Sequence, residues 1–114
     1  MRQWRIVLKM IFIETSIFTR RIQSLISDDL YRALQQSLML RPAAGNLIPK
    51  SHGLRKIRWN MPGKGKQGGL RIVYFWDTPE DTIYMLFVYQ KSDQEDLTGE
   101  QIEILSKLVK EYLQ

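Results

Sequence analysis

Arg55, Lys56 and Arg58 fall close together, and Arg71 interrupts the apolar run from Leu70 to Trp76. Such a set of cations can work on a phosphodiester. Cleavage of RNA requires that the ribose 2′-hydroxyl lose a proton, that the charge of the pentavalent phosphate be stabilised, and that the departing 5′-oxygen gain a proton. Histidines usually carry the two proton transfers, but His52 is the only histidine here and cysteine is absent. Disulfides, thiolate metal sites and cysteine nucleophiles are thereby excluded, and a histidine zinc site or a Ser-His-Asp triad is disfavoured. Catalysis must run on Lys, Arg, Tyr, Asp or Glu, and no cofactor is expected. Crowding of like charge can lower the pKa of a lysine enough to make it a base, while guanidiniums answer phosphate oxygens.

On a strand, Lys56 and Arg58 are two residues apart and share a face. An arginine inside the most apolar strand needs a reason, because charged side chains are rarely buried without a partner. Lys64 and Lys66 lie among glycines, where backbone and ammonium groups can approach phosphate or simply make a basic turn. The spacing of a P-loop is missing. Tyr74, Tyr84 and Tyr89 offer base stacking or acid–base help, with core packing the competing reading for the first two. His52, just ahead of Gly53, reads as an exposed turn residue. Asp93, Glu95 and Asp96 precede a helix cap and read as helix-dipole and solubility residues rather than metal ligands.

The chain has 114 residues, enough for one compact domain, and is 44% hydrophobic, enough for a core. Its net charge is +5, unevenly placed. Between Asp29 and Asp77 nine cations occur with no anion among them, whereas Glu80 to Glu103 is acidic apart from Lys91. A concentrated basic middle is the electrostatic footprint of a nucleic-acid ligand, with a solvated basic loop as the bland alternative. There is no membrane-length apolar run and no uninterrupted apolar stretch of a secretory signal, so a cytoplasmic protein without membrane contact is expected.

These residues need a scaffold. Met10-Ile11-Phe12-Ile13 suits a first strand, and Met10 could equally be the true start, with residues 1–9 an extension of a single domain over 10–114. Ile17, Phe18, Ile22, Leu25 and Ile26 recur at helical spacing behind Thr15 or Ser16 as N-cap. Ser27-Asp28-Asp29 caps a second helix carrying Leu30, Leu34, Leu38 and Met39, which Pro42 ends. Residues 42–53 read as a loop. Strands follow over Leu54–Trp59, Leu70–Trp76 and Ile83–Tyr89, the last two apolar enough for the centre of a sheet covered on one face by helices. Thr98 and Gln101 have capping-box spacing, and Ile102, Leu105, Leu108, Val109 and Tyr112 continue as a final helix. The expected fold is α+β, in the order β-α-α-β-β-β-α, with the late strands antiparallel.

Gly53-Leu54-Arg55-Lys56-Ile57-Arg58-Trp59, the loop Gly63-Lys64-Gly65-Lys66-Gln67-Gly68-Gly69 and Leu70-Arg71-Ile72-Val73-Tyr74-Phe75 together resemble the RelE/HigB toxins of the RelE/ParE superfamily. Met10 to Thr15, Asp28 to Tyr31 and Leu86 to Lys91 extend the resemblance over nearly all of the chain after Met10. It implies two helices packed on a curved, mostly antiparallel sheet, and a type II toxin that cleaves mRNA in the ribosomal A site through 2′-hydroxyl attack, leaving a cyclic phosphate. The implied partners are the ribosome, mRNA and a cognate helix-turn-helix antitoxin, with operator DNA met only through that antitoxin. By position, Lys56 and Arg58 match the basic pair given phosphate-stabilising and base-like roles. Arg71 matches the arginine on the scissile phosphate, and Lys91 a basic residue that protonates the leaving group. Arg55, Lys64, Lys66 and Tyr74 are the expected RNA contacts. Relatives with a catalytic tyrosine near the last helix have Leu97 as their counterpart here, which leaves Lys56 and then Tyr89 as candidate bases. The alternatives are a ParE-like inhibitor of DNA gyrase and a non-catalytic basic component of a repressor complex.

Overall fold

A computed structural model describes residues 10–60 and 69–113. Strand β1 (Ile11–Glu14) is followed by helices α1 (Ser16–Leu25) and α2 (Asp28–Leu40), then by β2 (Asn46–Leu47), β3 (Arg55–Trp59), β4 (Leu70–Asp77), β5 (Thr82–Gln90) and helix α3 (Gly99–Tyr112). The fold is α+β around a mixed sheet of order β1-β5-β4-β3-β2, in which only β1 is parallel to its neighbour. Each helix starts where a side chain satisfies an otherwise orphaned backbone donor. Thr15 Oγ1 accepts from Phe18 N at 3.1 Å, and Ser27 Oγ accepts from Leu30 N at 3.2 Å. Thr98 and Gln101 close a reciprocal capping box.

Two features differ from expectation. Strand β2 lies inside the segment read as a loop, because two residues carry no period; only their pairing with Lys56 and Arg55 makes them a strand. Helices also cover both faces of the sheet rather than one. Phe18, Ile22, Leu34 and Leu38 of α1 and α2 pack with Leu70, Ile72, Tyr74, Ile83, Met85 and Val88. Leu105 and Val109 of α3 pack with Leu54, Val73, Tyr84, Leu86 and Tyr89 on the other side. The continuous apolar character of β4 and β5 follows from that double burial.

Strand β1 ends at Glu14, opposite Met85, and leaves the rest of that β5 edge open. The N-cap of α1 and a residue midway along it close that edge. Thr15 N donates to Met85 O at 3.0 Å, Thr15 Oγ1 to Leu86 O at 2.8 Å, and Arg21 Nε to Val88 O at 2.8 Å. Glu14 joins the strand to both helices by accepting from Thr19 Oγ1 at 2.6 Å and from the Tyr31 hydroxyl.

Tyr74 fixes the connection from α2 to β2. Its buried hydroxyl donates to Pro42 O at 2.7 Å and accepts from Gly45 N at 2.8 Å. A Cβ on Gly45 would lie 2.8 Å from the Tyr74 ring, so only glycine lets the backbone approach this closely. Tyr74→Phe leaves the Gly45 donor and the Pro42 acceptor without that partner. It should cost about 1–3 kcal/mol in urea unfolding, and wild-type stability would show that this hydroxyl does not hold the loop.

Candidate functional site

Strand register sets the site. Arg58 is directly opposite Arg71, and Arg71 is directly opposite Tyr89, so the three form one row across β3, β4 and β5. Lys56, two residues before Arg58, lies on the same face, which is the face that α3 partly covers. Arg71 is 7% exposed, whereas Arg58 is exposed. The only ion pairs among the described residues are Arg32–Asp29, Lys56–Asp96 and Lys107–Glu103, so neither guanidinium of the row meets a carboxylate there. Arg71 Nη1 has a long contact, 3.4 Å, to Leu70 O. Like charges directly opposite on a sheet repel, and a buried cation is costly without a counter-charge. An anion bound between them would relieve both penalties.

Lys56 Nζ meets Asp96 Oδ1 at 2.7 Å, with the lysine mostly shielded and the carboxylate largely exposed. This hydrogen bond and charge hold the Asp96 carboxyl below the usual carboxylate range, with a smaller contribution from Arg58. Asp96 sits just before the cap of α3, a position that the sequence presents as a helix-dipole acid. Its partner is 40 residues away, and no local pattern reports that contact.

Tyr89 is fully buried, and its hydroxyl has no hydrogen-bond partner among the described residues. Burial first, and then the charge of Asp96, push its phenol up; Arg71 and Arg58 act in the opposite sense. Its neutral form therefore persists through physiological pH.

The other expected site residues go elsewhere. Arg55 and Tyr74 pair across β3 and β4 on the opposite face. Arg55 Nη1 donates to Gly45 O at 2.8 Å and Ala43 O at 3.3 Å. The Tyr74 ring is fully buried, and both residues support the loop after α2. Lys91 is exposed in the turn after β5, its backbone N–H donating to Gly69 O at 3.2 Å. Lys64 and Lys66 lie outside the described residues. His52 is exposed with φ 61° in a turn held by Ser51, and lines a separate hollow with Lys50 and Lys110. Beside the row, a groove of about 670 Å3 runs between β2, the adjoining edge of β3 and the start of α3.

The α+β fold sets one buried and one exposed guanidinium side by side, neither of them in an ion pair among the described residues. The description "RelE toxin of RelE / RelB toxin-antitoxin system" belongs to a family model that matches residues 14–114, and the chain belongs to this family. A solved structure of the E. coli toxin RelE, a double arginine-to-alanine variant in the free state, is similar with a TM-score of 0.57 and 10% identity. The alignment covers 88% of this chain and 96% of that one, a likeness of fold alone. Membership of the family makes the chain a toxin with a cognate antitoxin. None of the described helices is long and apolar enough to cross a membrane.

Tyr89→Phe removes a buried hydroxyl that has no partner among the described residues. Stability in chemical denaturation should equal wild type or exceed it by up to about 1 kcal/mol, and a loss of that size would mean that the hydroxyl is bonded after all. The lowered Asp96 carboxyl makes the Lys56 pair favourable above the ordinary carboxylate range and lets it fade as pH falls through the depressed value. In Lys56→Ala, the Asp96 carboxyl resonance should titrate closer to an ordinary aspartate in NMR; an unmoved titration would assign the shift to another group.

Proposed function

We propose that the chain is an mRNA endoribonuclease that stops translation by cutting mRNA in the ribosomal A site, without a metal. The single observation that carries this reading is the Arg58–Arg71 pair, two cations on one face with no carboxylate between them among the described residues. Both guanidiniums would hold the non-bridging oxygens of the scissile phosphate, where charge accumulates in the transition state. Lys56, once parted from Asp96 and with its own proton released to solvent, would take the proton from the 2′-hydroxyl as the neutral amine. The 2′-oxygen then bonds to phosphorus as the bond to the 5′-oxygen breaks, leaving a cyclic phosphate. Lys91 would return a proton to the 5′-oxygen.

Lys56 is engaged by Asp96 in the free protein, so that pair has to part before the lysine can act. Tyr89 is the weaker candidate base, because its phenol is kept neutral and its ring is buried. Its place in the row instead suits a hydrogen bond to bound phosphate, once the ring becomes accessible. Lys64 and Lys66 would add charge toward the RNA backbone. The toxin would act in the cytoplasm and be neutralised by a helix-turn-helix antitoxin, through which alone it meets operator DNA.

Arg71→Ala tests the reading, since loss of this buried cation removes a phosphate ligand without opening an ion pair among the described residues. The variant should stay folded by circular dichroism and lose growth arrest, with mRNA cleavage down by about 100-fold or more. Primer extension should show in-frame cuts after induction of the wild type and none for the variant. Retained toxicity in the folded variant, or gyrase inhibition without mRNA cuts, would sink the proposal.

A further inference from the structure

The groove beside the cationic row has the size of a small-molecule site: it holds about 670 Å3, where about 300–1,000 Å3 is ordinary. Leu47 and Ile48 line one side, and Leu97 and Ile102 from the start of α3 line another. Lys56, Arg58 and the Asp96 carboxylate paired with Lys56 also line it, so the groove is continuous with the proposed phosphate site. Asn46 is the one uncharged hydrogen-bonding side chain among its lining residues. It pairs with Lys56 across the β2–β3 ladder, which places it on the same face as the cations, and it is exposed.

We infer that this groove takes a base of single-stranded RNA, the one adjoining the phosphate held by Arg58 and Arg71, and that Asn46 reads its edge. The inference rests on the proposed ribonuclease function. An unstacked base has two apolar faces and a polar edge, and proteins bind it by covering the faces and hydrogen-bonding the edge. Aliphatic walls supply the first requirement here. The carboxamide of Asn46, with two donors and an acceptor, supplies the second. Connectivity also fits, because a base hangs from the sugar beside its phosphate, and the groove adjoins the cations that would hold that phosphate. An apolar peptide segment would leave Lys56 and Arg58 facing no new negative charge. RNA brings a phosphate with each base.

Fluorescence anisotropy with the purified full chain decides the matter. The probes are short 2′-O-methylated RNA homopolymers of adenosine, cytidine or uridine, in which the attacking hydroxyl is blocked. Wild-type affinities should differ among the three by about tenfold, the discrimination expected of one good amide-to-base contact. Asn46→Ala should collapse that spread while keeping the affinity of the weakest-bound probe, and Ile102→Trp, which fills the slot, should collapse it as well. Arg71→Ala should weaken all three probes alike and leave the spread. Equal binding of the three by the wild type, or a spread that survives both groove variants, overturns the base site. If the spread behaves as expected but Arg71→Ala binds as wild type does, the groove stands and the phosphate grip fails.

Discussion

Strand β4 lies between β3 and β5 and is covered on both faces, by the α1–α2 pair on one side and α3 on the other. Side chains over its first five residues, Leu70–Tyr74, therefore give up water. Leu70, Ile72, Val73 and Tyr74 do so at no electrostatic cost, but Arg71 keeps a full charge at 7% exposure. The flanking strands then decide what that charge meets. Register puts a second guanidinium on one side of it and a phenol on the other. The result is a local excess of positive charge fixed by backbone pairing rather than by loops. A scaffold of this kind holds the charges in place before any ligand is bound.

The rest of the molecule keeps that register. Thr15 and Arg21 satisfy the β5 edge that the short β1 leaves open, and Tyr74 with Arg55 ties down the chain that leads to β2. The 48–54 turn is held to α3 through Ser106 Oγ, which donates to Ser51 O at 2.8 Å. Each of these polar contacts lies beside the sheet and not in the cationic row. The row's own groups are left under-satisfied, which is where a ligand gains most by binding.

Charge is partitioned along the chain and rejoined in space. The basic middle supplies β3 and β4, and the acidic C-terminal part supplies Asp96, whose carboxylate reaches Lys56. That contact engages Lys56 and leaves Arg58, which is exposed, and Arg71, which is buried, without an ion pair among the described residues. The carboxylate of that pair is largely exposed and its lysine mostly shielded, so the contact sits at the rim of the row.

Much of this was legible in the residues. Helical spacing in Ile17–Ile26 and Leu30–Met39, the caps at Thr15, Ser27 and Thr98, and the apolar runs of β4 and β5 are local patterns, and local patterns survive folding. The two-residue offset of Lys56 and Arg58 fixed their common face, and the place of Arg71 inside an apolar strand announced a buried charge. Four things were decided only in three dimensions. β2 exists because Asn46 and Leu47 find β3, and α3 crosses to the face that α1 and α2 leave open. Arg55 and Tyr74, whose types suggested RNA, turn to the opposite face and brace a loop. Asp96 becomes a partner of Lys56 across 40 residues of chain. Residue type and periodicity state what a side chain can do and which way its own strand turns it. Which neighbours it then meets depends on register and layer order, and these are set by distant parts of the chain packing together.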